Sequence, residues 1–370
     1  MRNSIGNNLV LTLFGESHGE YIGATLDGFT PGIKVDEEFL KECLGKRRPS
    51  SNNETSRIEK DDYQIISGVF NSYTTGQPIT ILISNNNVRS SDYDKTKDLA
   101  RPSHIDYVAE NKYHSFQDYR GGGHFSGRIT APIVGLGSIP LKALEKFNIK
   151  IGTHIKQCGK VEDRDFSISS KDVEREIDYL NKLSFPVLDD VQLKMEKEIE
   201  IARKDLDSVG GIIQVAITNL PVGLGEPWFS SLESEISKAV FGIGGVKGIE
   251  FGEGFKMASK RGSETIDSFY NEDGKVVTST NRNGGINGGI SNGMPVIFNL
   301  AIRPTASIAK KLDTINIKTN QNTSIELIGR HDPAIIRRIN IVIRTLVAIV
   351  IADLLEVKYG SDVFLKERLD

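Results

Sequence analysis

Cysteine is nearly absent from this chain, which has only two cysteines, Cys43 and Cys158, among 370 residues. Neither belongs to a Cys-x-x-Cys pair or to another spacing typical of metal ligands. The scarcity argues against a disulfide-stabilised scaffold and against a thiolate metal site. It is what we expect of a protein that works in a reducing cytoplasm.

An excess of positive charge is also lacking. The chain has 46 Lys and Arg against 49 Asp and Glu, which gives a net charge of −3. No global basic field exists to attract nucleic acid or an anionic membrane, so neither is predicted as a partner. Any site for an anion must therefore be built locally.

No long hydrophobic run is present either. The most apolar stretch, residues 339–355, is short for a bilayer and contains Arg344 and Asp353, which predicts a buried helix. The first residues lack the apolar core and small-residue cleavage site of a signal peptide. A cytoplasmic location is the expectation that follows.

Glycine, in contrast, is abundant, with 36 residues that fall in clusters. The densest clusters are residues 121–127, 242–248 and 284–293, each flanked by patterns typical of strands or helices. Low complexity is one explanation, but we prefer tight turns whose backbone approaches a ligand closely. No Gly-x-Gly-x-x-Gly follows a strand and opens a helix, and no Walker A sequence occurs, so neither a Rossmann nor a P-loop site is predicted.

Strand and helix patterns are both present along the chain. Strands are predicted at 77–84, 211–220, 246–252 and 294–302, and helices at 131–147 and from about Asp36 onward. Residues 171–207 are rich in charge and predict a solvated helical region that joins two halves.

The two halves, about 1–155 and 208–370, show a weak internal similarity. Each contains a strand, a Gly/Pro turn and an acid-led helix, and later a Gly-x-Pro sequence that leads into a strand. Short Gly-Pro matches also arise by chance. A degenerate duplication inside a single domain, residues 1–370, is the hypothesis.

Three of the six histidines have unusually polar neighbours. His18, His104 and His331 each lie beside Gly, Ser, Asp or Arg at a break between predicted elements. A single histidine is more often structural, but this grouping favours proton transfer by His18 and His104 near neutral pH. No His-x-His or His-Glu-x-x-His spacing occurs, so no metal site is predicted.

Arginines gather at the same turns. They are Arg47, Arg48, Arg57, Arg101, Arg120, Arg128 and Arg330. Arginine in Gly- or Pro-rich turns favours capture of carboxylate or phosphate, and the glycine clusters add backbone N–H donors. The residues alone therefore predict a cytoplasmic enzyme with an Arg-rich, Gly-lined pocket for a small polyanion, and they leave its reaction open.

Several motifs extend over nearly the whole chain. They include FGESHG (14–19), RPSHIDY (101–107), DYRGGGHFSGR (118–128), GGINGGISNG (284–293), RPTASI (303–308) and GRHDP (329–333). In this order and at these spacings they resemble the chorismate synthase family. The resemblance implies an α+β fold, a sandwich of antiparallel sheets and helices with internal pseudo-symmetry, and a homotetramer.

The resemblance also implies a reaction, the 1,4-elimination of phosphate from 5-enolpyruvylshikimate 3-phosphate to give chorismate. This step of the shikimate pathway, which leads to the aromatic amino acids, requires reduced FMN although no net redox occurs. NADPH would serve only indirectly, to reduce the flavin. A chain of this length has no room for a large reductase domain, so an external flavin reductase is expected.

Motif by motif, the resemblance assigns roles to residues of this chain. It implies that His18 and His104 act as acids and that Asp332 helps the flavin N5 to accept the substrate proton. The implied substrate ligands are Arg48, Arg57, Arg101 and Arg128. The implied flavin ligands are Arg47, His124, Phe125, Ser126, Gly244, Gly245, Gly288, Arg303, Pro304, Thr305, Ala306, Ser307 and Arg330.

The chain departs from the family pattern at several positions. Many members have Arg-Ser at His124-Phe125, Glu at Ile129, Asn-Ala at Gly244-Gly245, Lys at Arg303 and Cys at Ala334. These departures concern flavin and substrate contacts, while the motifs of the three implied catalytic residues are intact. His124 is either a third histidine that faces the ligand or a simple replacement of one hydrogen-bonding side chain by another.

Two other classes of protein can be separated from this one by experiment. A flavoprotein oxidoreductase would consume NAD(P)H in proportion to its product. A non-catalytic module that binds anions would keep its affinity after loss of His18 and His104.

Overall fold

The computed structural model describes residues 2–49, 54, 60–86, 97–327 and 332–369. The helices of these residues are α1 (Glu37–Arg47), α2 (Asp106–Lys112), α3 (Thr130–Leu144), α4 (Ser170–Leu180), α5 (Gln192–Lys204), α6 (Leu232–Val240) and α7 (Ile336–Tyr359). The strands are β1 (Ser4–Ile5), β2 (Val10–Gly15), β3 (Tyr21–Asp27), β4 (Tyr63–Ser67), β5 (Val69–Phe70), β6 (Tyr73–Thr74), β7 (Ile79–Ser84), β8 (Lys150–Cys158), β9 (Val161–Glu162), β10 (Gly211–Thr218), β11 (Val246–Phe251), β12 (Phe269–Glu272), β13 (Lys275–Thr278), β14 (Ile286–Asn287), β15 (Ile290–Ser291), β16 (Val296–Ile302), β17 (Lys311–Ile315) and β18 (Asn322–Glu326).

Two five-stranded antiparallel sheets organise the fold. The first has the order β1-β2-β3-β7-β4 and the second has the order β11-β16-β10-β8-β9. Four consecutive strands correspond, β2-β3-β7-β4 to β8-β10-β16-β11, and α1 and α6 occupy equivalent places between the strands of the two sheets. The predicted α+β class with antiparallel sheets and internal pseudo-symmetry is confirmed. The boundaries given for the two halves stay a prediction.

Helices α3 and α7 pack together in the core beside the sheets. The apolar run predicted as a buried helix forms most of α7, and 20 of the 24 residues of this helix are buried. Gly137 of α3 shows why the two helices approach closely, since a Cβ there would lie 2.6 Å from the carbonyl oxygen of Thr345. The two helices therefore meet with backbone near backbone.

The strands of the first sheet alternate buried and less buried side chains. In β3 the buried residues include Ile22, Ala24 and Leu26, and in β7 they are Ile79, Ile81 and Ile83. This period of two presents one apolar face, and α3 packs on β3 and β7. The apolar pattern that predicted a strand at 77–84 thus also marks the face that meets the core.

The predicted elements are present, with small shifts at their ends. Asp36 caps α1, as its side chain accepts a hydrogen bond of 3.0 Å from the Phe39 N–H. The charged region at 171–207 was predicted only in part. It contains α4 and α5, and each buries one face against the second sheet, with Val173, Ile177 and Met195 among the buried residues. It is therefore a layer of the fold and not only a solvated connection.

A membrane-spanning helix is not found among the described residues, because none of their helices is both long enough and apolar enough.

The end of α7 holds two buried carboxyl groups. Asp353 accepts hydrogen bonds from the backbone N–H groups of Asn7, Asn8 and Leu9 at 2.9, 2.7 and 2.8 Å, and so anchors the turn before β2. Glu356 is fully buried. Burial, followed by the negative charge of Asp353, raises the pKa of Glu356 from 4.5 to about 8.

This raised pKa predicts a pH-dependent stability. Between about pH 4.5 and about pH 8 the folded protein keeps a proton on Glu356 that the unfolded chain releases, so stability falls as pH rises through that range. Glu356→Gln removes this titration, and its melting temperature relative to wild type is expected to increase over the same range. Thermal denaturation at several pH values measures this. Glu272→Gln, at an exposed strand position, is the control, and a pH-independent offset for Glu356→Gln would contradict the assignment.

Candidate active site

A cavity of about 840 Å³ is lined by segments that are distant in the sequence. Its walls come from β1 and β2, the glycine turn near residue 121, the start of α3, the end of α6, the loop after β16 and the residue before α7. Of the predicted site residues, the cavity is lined by Arg101, His104, His124, Phe125, Ser126, Gly244, Gly245, Arg303, Pro304, Thr305, Ala306, Ser307 and Asp332. A volume of this size is typical of a site for a small molecule or a cofactor.

The glycine turn at 121–123 contacts two of the predicted catalytic histidines. All three glycines have positive φ, at 59°, 84° and 54°. A Cβ on Gly121 would lie 2.2 Å from His18 Cε1, and a Cβ on Gly122 would lie 3.4 Å from His104 Cε1. The turn therefore needs glycine for its conformation and, at Gly121, for space beside His18.

His104 precedes α2 and is oriented by a carboxylate. Its Nδ1 lies 3.3 Å from Asp106 Oδ1, and Arg101 donates to both oxygens of Asp106 at 2.7 and 2.6 Å. Burial alone would raise the pKa of Asp106, but the hydrogen bonds from Arg101 and His104 outweigh it and hold that pKa well below its usual range. Asp106 is thus ionised and fixes the ring of His104, a role that the sequence analysis missed.

His18 is buried against the same turn and does not line the cavity directly. Its Nδ1 lies 3.1 Å from Ser17 Oγ, and the Ser17 N–H donates to the Gly123 carbonyl at 3.1 Å. The FGESHG segment thus forms the end of β2 and the turn that follows, and it is joined there to the glycine turn. The same glycine turn thus lies beside both predicted histidines, although they are 104 − 18 = 86 positions apart in the sequence.

Asp332 reaches the cavity from the segment before α7. Its Oδ2 accepts a hydrogen bond of 2.6 Å from Arg338 Nη1, and its carbonyl oxygen accepts one of 2.8 Å from Thr305 Oγ1. Burial raises the pKa of Asp332 above its ordinary value, although Arg338 acts in the opposite direction. Arg338, which no sequence pattern had marked, thus contacts a carboxyl group that stays protonated to a higher pH than an ordinary aspartate.

The segments predicted to bind flavin are joined to one another. The Arg303 N–H donates to the Gly245 carbonyl at 2.9 Å, and Arg303 Nη1 donates to the Ser103 carbonyl at 3.0 Å. His124 Nδ1 lies 2.8 Å from the carbonyl oxygen of Gly15. These contacts connect the loop after β16, the turn between α6 and β11 and both histidine motifs into one wall.

Three predicted anion ligands surround one buried acid, Asp61. Arg47 Nη1 and Arg48 Nε each lie 3.6 Å from Asp61 Oδ2, and Arg128 pairs with Asp61 Oδ1. These arginines do not line the cavity, but Arg47 supports its wall from behind through Thr130 Oγ1 at 3.0 Å. Asp61 had no motif to mark it in the sequence.

Comparison with known proteins agrees with this geometry. The family model described as chorismate synthase matches residues 9–355. The chain is 45% identical to a chorismate synthase of Pyrococcus abyssi over 350 residues, which cover 94% of this chain and 96% of the relative. It is 42% identical to a chorismate synthase of Methanocaldococcus jannaschii over 368 residues, 96% of each chain.

The chain belongs to the chorismate synthase family. A solved structure titled as a chorismate synthase matches it with a TM-score of 0.75 and 25% identity, over 98% of this chain and 96% of the other. Membership makes the chain an enzyme of the shikimate pathway and a lyase.

One further predicted residue of the chorismate synthase site, Gly288, is described by the structure but is not part of the cavity wall. Gly288 lies at the exposed tip of the β14–β15 hairpin. Arg57, Arg330 and His331 lie outside the described residues. Within the described ranges, no group of three or more His, Cys, Asp or Glu side chains is placed to hold a metal ion.

Proposed function

We propose that this chain catalyses the 1,4-elimination of phosphate from 5-enolpyruvylshikimate 3-phosphate, giving chorismate, with reduced FMN bound in the 840 Å³ cavity. One observation carries the proposal. His104, whose ring is oriented by a carboxylate, and Asp332, whose pKa is raised, both line the same glycine-rich cavity. Family membership supplies the reaction.

The walls of the cavity fit a flat, anionic cofactor. Gly244 has no atom within 4 Å of the place where a Cβ would lie, so a ring can approach the backbone there. Phe125 offers an aromatic surface that is 45% exposed, and Arg303 offers a cation near Thr305 and Ser307. Ser126 and Gly245 are further residues of this wall that would hold FMN. Bound reduced FMN would supply the electron-rich ring that the family reaction requires.

The protein's own groups provide the proton transfers. With Nδ1 held by ionised Asp106, a protonated His104 presents Nε2–H as a donor to a ligand in the cavity. His18, held by Ser17 against Gly121, is the second acid. Asp332 assists the removal of the substrate proton, and its raised pKa makes its carboxylate a stronger base than an ordinary aspartate.

The arginines account for the charge of the substrate, which carries two carboxylates and a phosphate. Arg48 is the most accessible member of the Asp61 cluster, with 39% of its side chain exposed, and it is the member best placed to contact a ligand. Arg47 and Arg128 are nearly buried and contribute charge from behind the wall. Fixed cations of this kind stabilise the charge that develops on the departing phosphate.

Redox stoichiometry distinguishes this elimination from flavoprotein oxidoreduction. Under anaerobic conditions, FMN reduced with dithionite is expected to support many turnovers without being consumed in proportion to product. NADPH with oxidised FMN is expected to give no turnover until a flavin reductase is added. Product that appears in step with NADPH oxidation would contradict the elimination, and NADPH-driven turnover without reductase would contradict the need for an external reductase.

Two further properties belong to the proposal. The enzyme forms a homotetramer, which sedimentation equilibrium would detect as four times the chain mass of 40.8 kDa. It works in the cytoplasm, supported by two cysteines that are both unbridged and buried. A stable monomer would contradict the homotetramer, and export of the protein from its own cell would contradict the cytoplasmic location.

A further inference from the structure

A second, small cavity of about 20 Å³ lies between α1, β8, the segment after α4 and α7. Its lining contains three cations, Lys46, Arg337 and Arg344, and no Asp or Glu. The other polar groups on its wall include Thr153 and Asn340. A polar cavity of this volume is large enough for one water molecule or one ion of similar size.

Two of these cations have acidic partners. Arg337 contacts both carboxylate oxygens of Glu54, at 2.5 and 2.7 Å, and Lys46 lies 2.9 Å from Glu42. Arg344 differs, because in the described part of the chain no carboxylate lies within ion-pair distance of it. It is 8% exposed, and its Nε donates to the Ile151 carbonyl at 2.8 Å.

The described acidic groups that act electrostatically on Arg344 are Cys43, Glu145 and Glu42, and none of them forms an ion pair with it. The Cys43 thiol is its neighbour, but burial raises the pKa of that thiol to about 11, so it is neutral. Glu145 is paired with Lys142 at 2.6 Å, and Glu42 is paired with Lys46 at 2.9 Å. A buried cation without a counter-ion is costly, and such cations are normally paired.

Asn340 lies one turn before Arg344 on the same face of α7. Its Oδ1 accepts a hydrogen bond from the Thr153 hydroxyl, which directs the amide. Its Nδ2 is buried and has no hydrogen-bond partner among the described residues. An amide donor without a partner and a guanidinium without an ion pair therefore lie on one wall of a cavity that has room for a single small species.

We propose that this cavity binds a monatomic anion, chloride in the cell, held by the Arg344 guanidinium and the Asn340 Nδ2 group. A water molecule would satisfy the amide but would leave the buried charge uncompensated. Phosphate and carboxylates are too large for the space. The anion neutralises the charge of Arg344 on α7. Arg337, on the same helix, donates to the carbonyls of Lys46 and Arg48 at the end of α1, so the bound anion stabilises the contact between α7 and α1.

Thermal denaturation at constant ionic strength tests the site. Replacing sodium gluconate by sodium chloride or bromide is expected to raise the melting temperature along a saturating curve, by about 2 °C or more. Equal melting temperatures in gluconate and halide would overturn the proposal.

Asn340→Asp places a carboxylate in the cavity with almost no change of shape. This variant is expected to melt higher than wild type in gluconate and to lose the halide response, because Arg344 then has an internal partner. Asn271→Asp, at an exposed position of β12, is the matched control and should respond to halide like wild type. A folded Asn340→Asp variant that keeps the full halide response would contradict the site.

A crystal of the wild-type protein grown in sodium bromide gives an independent result. An anomalous peak between Arg344 and Asn340 is expected. Density without anomalous signal at that place, at a bromide concentration that saturates the thermal response, would assign the cavity to water and refute the proposal. This measurement requires no variant to fold.

Discussion

Asp332→Asn is expected to lower kcat by about 10²- to 10⁴-fold, the usual contribution of a positioned acid–base group. Asparagine keeps the shape of the side chain and an oxygen for Arg338, whose Nη1 lies 2.6 Å from Asp332 Oδ2. It cannot accept a proton. FMN affinity is therefore expected to change little, and the loss should fall on kcat measured with saturating substrate and reduced FMN.

Asp313→Asn, at an exposed position of β17, is the matched control and should retain wild-type kcat. Melting temperature and FMN affinity of both variants would show that the site is intact. A folded Asp332→Asn enzyme with kcat within threefold of wild type would mean that Asp332 does not assist the proton transfer.

Gly121→Ala is expected to lower kcat/KM by about 10²-fold or more. Its φ of 59° is unfavourable for alanine, and the new Cβ would lie 2.2 Å from His18 Cε1. Because its neighbour Gly122 lies against His104, a shift of the turn would displace both histidines. Displacements of about 1 Å at reacting groups are enough for a loss of this size.

Gly274→Ala separates the contact from backbone strain. Gly274 also has a positive φ, 84°, but no atom lies within 4 Å of its Cβ position. Both variants should lose some stability, since alanine is strained at positive φ, and only Gly121→Ala should lose activity. Wild-type kcat/KM in Gly121→Ala would show that the activity does not depend on the present position of His18.

Much of the fold was predictable because its signals are local. The alternating Ile79, Ile81 and Ile83 identify both the strand and its buried face. The same reasoning fell short for α4 and α5, where the density of charge concealed the i,i+4 pair of Val173 and Ile177 that buries one helical face. The pattern of charged residues correctly predicted the exposed face of each helix, but it gave no information about the buried face.

Only the part of the site that lies in sequence motifs could be predicted from the sequence. The glycine cluster predicted close approach, and the structure shows that part of this approach is to His18 and His104 themselves. Asp106 could have been found, since it follows His104 by two residues in the same motif. Asp61 could not, because its role depends on contacts with Arg47 and Arg128 that only the folded chain creates.

The most direct test of the central claim is to measure phosphate and chorismate together in one anaerobic reaction. The mixture would contain the protein, 5-enolpyruvylshikimate 3-phosphate and chemically reduced FMN, and His104→Ala would be run beside wild type. We expect equal molar yields of phosphate and chorismate from wild type, no product without FMN, and sharply lower yields from the variant. Phosphate released without chorismate, or no product from folded protein that binds FMN, would contradict it.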